Sequence, residues 1–97
     1  MKEESIMKKL PEYVSSYKRT QVFDELTVPQ GLLASHQTKE GVWGVIHVEK
    51  GKLDYIIENH SSFVLSKDVQ GVIEPEVLHY IKPRGNVLFF IEFYKKL

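Results

Sequence analysis

The chain has 97 residues, no cysteine, and 13 basic against 13 acidic side chains. This length predicts one domain with a modest core, and the missing cysteines exclude disulfides and thiolate metal sites. Zero net charge without a basic run argues against nucleic-acid binding. No apolar run approaches the ~20 residues of a membrane-spanning helix, and the charged N-terminus lacks a secretory signal's apolar region. We therefore expect a cytoplasmic protein without nucleic-acid or membrane partners.

The first predicted segment, residues 1–12, is a flexible N-terminal tail in which Pro11 ends any helical turn. One domain over 13–97 follows, with short apolar stretches between turn residues. Its first strand is expected over 18–23, and an extended segment over 31–38 after a turn.

The middle of the chain has the clearest strand pattern. Apolar residues alternate over 42–49 and again over 52–58, and Lys50 and Gly51 between them predict a tight hairpin. Shorter strands are expected further on, over 63–65, 71–74 and 77–81. Residues 82–86 predict the last turn.

The final predicted strand, 87–94, is apolar on both faces and needs cover on both sides. A barrel interior and a second subunit would supply that cover, so we expect a homodimer. Several short strands with little helix predict an all-β sandwich or closed barrel.

Glu92 is the most unusual polar residue because it lies in this apolar strand. A buried carboxylate is costly unless a metal, a histidine or a basic side chain pairs with it. The alternative is an ordinary salt bridge at the strand end, to Lys18, Arg19 or Arg84.

The four histidines have different settings. His79 lies among aliphatic residues, which suits either a satisfied core histidine or a ligand. His36 suits a strand edge or a ligand. His47 is expected at the surface or in an interface, and His60 in a solvated loop. The chain has no Gly-rich phosphate loop and no hydrolase or zinc-protease motif, so no nucleotide cofactor is expected.

Two segments resemble the motifs of the cupins, which are double-stranded β-helix barrels of the small jelly-roll type. Residues 31–51 resemble the first cupin motif through Gly31, His36, Gly44 and Gly51, and residues 71–79 resemble the second. The chain is similar in particular to small cupins found as the N-terminal domain of some tellurite-resistance proteins. Residues 28–33, 36–44, 73–79 and 89–94 carry that resemblance.

The resemblance implies a metal site, although the usual ligand set is incomplete. Thr38 stands where cupins have a second histidine, and Gly44 lies near the position of their glutamate. His36 and His79 remain, with Glu92 as the third ligand and Glu40 or His47 as weaker choices. Two histidines and one carboxylate suit a divalent metal such as zinc, iron, nickel or manganese. Without a metal, the same cavity could bind a small anion.

The resemblance thus implies a non-enzymatic cupin that binds a metal or a small ligand in the response to tellurite or related chemical stress. The chain shows no βαβ pattern for a methyltransferase domain. One alternative is a metal-dependent enzyme, such as a small oxygenase or isomerase. A further alternative is a homodimeric interaction module without metal.

Overall fold

The computed structural model describes residues 7–97. Within them it has six strands and one short helix: β1 Ser15–Arg19, β2 Phe23–Asp24, α1 Gln30–Leu33, β3 Trp43–Ile57, β4 Ser61–Leu65, β5 Gly71–Ile73 and β6 His79–Lys95. The prediction of an all-β domain is confirmed. Residues 1–6 of the predicted tail lie outside the described residues, and the flexibility of that tail stays a prediction.

The strands form one antiparallel sheet in the order β1-β6-β3-β4, with β2 also paired to β6 and β5 to β3. The predicted closed barrel is wrong for residues 7–97, because no ladder joins β1 to β4. Each of these two short strands pairs along one edge only, so each forms an outer edge of the sheet.

Two predicted turns are absent, because β3 and β6 each run through as one long strand. The pairing of β3 with β6 shifts on both sides of Lys50, which marks a bulge. Gly51 has a φ of +80° there, and a Cβ at this position would collide with the carbonyl oxygen of Asn86. A hairpin and a bulge both use a glycine with positive φ, so the sequence pattern was compatible with either.

The predicted extended segment over 31–38 is also wrong in its first part. The chain makes a single helical turn, α1, in which the Leu32 amide donates to the Pro29 carbonyl at 3.0 Å. Proline is tolerated at the start of a helix because its missing N–H has no partner there. After this turn the chain becomes extended at His36.

The core lies on the inner face of the bent β3–β6 pair. Both halves of each long strand contribute to it, through Ile46, Val48, Leu53, Tyr55, Ile81, Val87, Phe89 and Ile91. His79 is 1% exposed and lies at the edge of this core as its buried polar residue.

The outer face of β6 is partly covered by the chain itself. Phe90 is 8% exposed, with the Arg19 guanidinium 4.3 Å from its ring centre and the His47 ring stacked on it at 4.6 Å. The homodimer that the apolar strand suggested stays a prediction. No helix of residues 7–97 is long and apolar enough to cross a membrane.

Candidate functional site

His36 and His79 lie side by side although 43 positions separate them in the sequence. They form an isolated antiparallel bridge in which each backbone amide donates to the other residue's carbonyl at 2.9 Å. The bridge brings the two rings to a centroid distance of 4.3 Å. The structure therefore assembles these two predicted site residues.

Hydrogen bonds set the tautomer of both rings. Nδ1 of His36 lies 3.0 Å from the Ala34 carbonyl, and Nδ1 of His79 lies 2.8 Å from the Val77 carbonyl. A carbonyl oxygen only accepts, so in each neutral ring Nδ1 carries the proton and Nε2 keeps a lone pair. Burial lowers the pKa of His79, the hydrogen bond to Val77 opposes this shift, and His36 adds to it. His79 is therefore neutral near neutral pH.

Both imidazoles line a pocket of about 330 Å³. Among residues 7–97, its polar wall contains two basic residues and no acidic one, and consists of Tyr17, Lys18, Gln37, Thr38 and Lys39 together with the two histidines. The Lys18 ammonium lies 5.4 Å from the centre of the Phe93 ring, which also lines the pocket. A concave surface with this charge balance attracts anions.

Tyr55 supports the inner end of the pocket. Its ring meets His79 edge-on at 5.7 Å, and its hydroxyl donates to the Val72 carbonyl at 3.0 Å. Burial, and then the negative charge of Glu74, raise the pKa of this phenol. Tyr55 is therefore a positioning residue, and its hydroxyl is directed to the backbone.

Glu92 lies away from this pocket, because alternation along β6 puts Ile91 and Phe93 on the pocket side and Glu92 on the other. The carboxylate accepts hydrogen bonds from Ser16 Oγ at 2.6 Å, from His47 Nε2 at 3.0 Å and from the Tyr94 hydroxyl at 3.0 Å. The Ser16 hydrogen bond is the largest cause of a lowered pKa at Glu92, and burial opposes it.

The alternative salt bridge at Glu92 takes a different form from the one expected. The partner in this position is His47, whose Nε2 lies 3.0 Å from the carboxylate. Arg84 instead pairs with Asp54 at 2.9 Å.

His47 has partners for both ring nitrogens. Nε2 meets Glu92, and Nδ1 lies 3.0 Å from the side-chain nitrogen of Gln70. Glu40 lies exposed in a turn and does not line the pocket. His60 is exposed, as predicted for a loop residue. No three histidine or acidic side chains among residues 7–97 are grouped closely enough to hold a metal.

The ligand set of His36, His79 and Glu92 is thus not assembled, and within residues 7–97 the pocket offers two histidines as potential metal ligands. Lys39 and Phe93 were not singled out in the sequence, and Lys18 was considered only as a partner of Glu92. For Phe93 the signal was available, because it shares a strand face with Ile91. Nothing in the sequence pattern brings Lys18 and Lys39 together.

These features define a small all-β domain with a basic two-histidine pocket. A family model described as the TehB-like domain matches residues 18–91. The chain belongs to the TehB-like domain family, which confirms the predicted resemblance to tellurite-resistance proteins at the family level.

Two solved structures are similar to this chain. TehB from Haemophilus influenzae has 26% sequence identity and a TM-score of 0.80, with 88% of this chain and 32% of the TehB chain covered. This chain thus spans about a third of TehB. A protein from E. coli strain K12 has 22% identity and a TM-score of 0.83, with 94% and 99% of the two chains covered. A search of curated proteins found no match.

Proposed function

We propose that the chain is a non-enzymatic binding domain that holds a small anion in the two-histidine pocket. The observation that carries this proposal is the polar wall, where the described part of the chain supplies two lysines and two histidines and no acidic residue. Membership of the TehB-like family makes tellurite and related oxyanions the first ligands to test. The association of this chain with chemical stress is part of the same proposal.

The pocket offers two kinds of polar group to such a ligand. The ammonium groups of Lys18 and Lys39 donate hydrogen bonds and suit charged oxygens. The Nε2 atoms of His36 and His79 accept hydrogen bonds in the neutral rings and suit a hydroxyl group. An oxyanion that carries both a charged oxygen and a hydroxyl would satisfy both sets.

An NMR titration of ¹⁵N-labelled protein with sodium tellurite, selenite and lactate tests this proposal. We expect saturable shifts at the pocket, and an affinity about tenfold weaker in His36→Ala, which removes one hydrogen-bond acceptor. Lys39→Gln should weaken binding by a similar factor. The matched controls His60→Ala and Lys67→Gln alter exposed residues that do not line the pocket. If no anion binds saturably, or if the controls lose as much affinity as the pocket variants, the proposal is wrong.

A divalent metal is the second candidate ligand, and the Nδ1 hydrogen bonds favour it. Metal-binding histidines commonly donate their second nitrogen to a carbonyl or carboxylate in this way. Catalytic zinc sites use three protein ligands, whereas His36 and His79 supply two, so water or a bound anion would complete the shell. Zinc, iron, nickel and manganese are the metals to test.

Elemental mass spectrometry on protein purified without chelators tests the metal candidate. About one ion per chain, lost in His36→Ala, would support it. No metal after reconstitution would contradict it. A metal-dependent enzyme would also need a positioned acid or base, and Glu92 lies on the opposite face of β6.

We also propose that the domain is a cupin-type double-stranded β-helix. The bent β3–β6 pair supports this assignment because its two halves share one core. A homodimer and a cytoplasmic location are proposals that rest on the sequence alone. Light scattering of the purified chain tests the dimer.

A further inference from the structure

A second cavity continues the two-histidine pocket. It is an open groove of about 350 Å³, and the surface that it presents is apolar. The groove and the pocket share four lining residues, Leu32, His36, Ile91 and Phe93. Beyond them the groove is lined by Thr20, Phe23, Pro29 and Gly31.

The two cavities differ in the chemistry that they present. Lys18 and Lys39 line the pocket and are absent from the groove. Leu32 and Phe93 are half-buried at the junction, so they expose part of their apolar surface to water. Ligand sites usually combine such apolar walls with a few placed polar groups. An inorganic anion would fill the polar part and leave the groove in water.

We propose that the ligand is a short organic acid whose head carries a carboxylate and a hydroxyl and whose body is a hydrocarbon chain. The carboxylate lies beside Lys18 and Lys39, and the hydroxyl donates to a histidine Nε2. The hydrocarbon body extends past Leu32 into the groove. This inference rests on the proposed anion site and names the class of its ligand.

Calorimetric titration with lactate and 2-hydroxyhexanoate separates the head from the body, because the two acids differ only by three methylene groups. A fully buried methylene strengthens binding by about fourfold. The groove is open, so we expect each methylene to strengthen binding roughly threefold. The three methylenes together should strengthen it about 30-fold. Hexanoate, which lacks the hydroxyl, should bind about tenfold more weakly than 2-hydroxyhexanoate.

Two variants in the same helical turn locate the hydrocarbon body. Leu32→Ala removes apolar contact at the junction. It should reduce the gain from chain length, which is the ratio of the lactate to the 2-hydroxyhexanoate dissociation constant in the same variant, to less than about tenfold. Leu33→Ala is the matched control, because Leu33 is exposed and lines neither cavity. Leu33→Ala should keep the full gain in affinity from chain length.

A third variant guards against a folding defect in Leu32→Ala. Gly31 lines the groove, and a Cβ there would have no heavy atom of residues 7–97 within 4 Å. Gly31→Leu therefore adds a side chain beside the groove without a backbone clash, and it should also reduce the gain from chain length.

The outcomes separate this inference from the proposed function. Equal affinity for lactate and 2-hydroxyhexanoate, with both dependent on His36, would overturn the organic-acid inference and leave the anion site standing. A gain that persists in both Leu32→Ala and Gly31→Leu would also overturn it, because the body would then lie elsewhere. If neither acid nor tellurite nor selenite binds, the anion site itself is wrong, and this inference is wrong with it.

Discussion

The β3–β6 sheet has histidines on both of its faces, and the two groups differ in which ring nitrogens are already hydrogen-bonded. We call His47 with its partners the outer cluster, and His36 with His79 the inner pair. On the outer face, His47 uses both ring nitrogens, with Glu92 and Gln70 as partners. On the inner face, His36 and His79 each bond to a carbonyl through Nδ1. Among the described residues, no hydrogen bond reaches their Nε2 atoms. The outer cluster is therefore satisfied internally, whereas the inner pair can accept a bond from a ligand.

Charge distinguishes the two faces in the same sense. The outer cluster contains its own carboxylate, which receives three hydrogen bonds. The inner pocket is lined by Lys18 and Lys39 and by no acidic residue of those that the structure describes. We therefore assign stability to the outer cluster and binding to the inner pair.

The largest expected effect is the loss of stability when Gly51 is substituted, because Gly51 lies in the bulge where the β3–β6 pair bends. Gly51→Ala places a Cβ against the Asn86 carbonyl at positive φ, and we expect the free energy of unfolding to fall by about 3 kcal/mol. Gly85 also has positive φ, at +68°, but a Cβ there meets nothing within 4 Å. Gly85→Ala should therefore cost about 1 kcal/mol, from the backbone conformation alone. Urea denaturation measures both values, and equal losses would show that the close approach to Asn86 is unimportant.

The next effect contrasts one residue from each cluster. Glu92→Ala removes the acceptor of three hydrogen bonds, so we expect a loss of about 2 kcal/mol in the free energy of unfolding. Its anion affinity should stay at the wild-type value. His36→Ala should show the reverse, with less than about 1 kcal/mol of lost stability and an affinity about tenfold weaker. If Glu92→Ala lost anion binding and kept its stability, Glu92 would belong to a binding site, and the assignment of stability to the outer cluster would be wrong.

The pH dependence of stability gives a smaller effect. The pKa of Glu92 lies below its ordinary value of 4.5, chiefly because Ser16 donates to the carboxylate. The unfolded chain therefore takes up a proton at Glu92 at a higher pH than the folded chain does. The stabilisation by Glu92 is complete above pH 4.5 and is lost as the pH falls through the lowered pKa.

Glu92→Gln tests this expectation, because the amide does not titrate. Thermal unfolding followed from neutral pH down to the acid range should show a shallower loss of stability below pH 4.5 than the wild type. Glu40→Gln, at an exposed turn residue outside the cluster, should keep the wild-type profile. A Glu92→Gln profile that coincides with the wild type would contradict the assignment of the acid-sensitive group.

The smallest expected effect is at the rim of the outer cluster. Gln70 is exposed, and its side-chain nitrogen lies 3.0 Å from His47 Nδ1. Gln70→Ala should lower the free energy of unfolding by about 0.5 kcal/mol, since water replaces an exposed partner at little cost. Chemical denaturation measures this change. A loss as large as that of Glu92→Ala would mean that Gln70 contributes as much to the stability of the outer cluster as Glu92 does.

Strand periodicity predicted the all-β class and the inner face of the central strand, because alternation depends on local sequence alone. It placed Ile46 and Val48 together, as the core has them. It divided β3 and β6 into shorter strands, because a glycine with positive φ serves a bulge as well as a hairpin. The conformation at Gly51 is decided by the distant partner Asn86, which local pattern does not identify.

The candidate site was predictable in part. His36 and His79 were identified through a family resemblance, and the bridge between them depends on long-range pairing. Glu92 was chosen for its unusual setting, and the expectation that it needs a partner was sound. The partners proved to be Ser16, His47 and Tyr94, because the alternation of β6 turns the carboxylate away from the pocket.

The most direct test of the central claim is the ¹⁵N chemical shift of the imidazole nitrogens during a titration with 2-hydroxyhexanoate. The account predicts that the Nε2 signals of His36 and His79 move together and saturate at one dissociation constant, while those of His47 stay fixed. Fixed signals at His36 and His79, or a saturating shift at His47 alone, would contradict the assignment of binding to the inner pair.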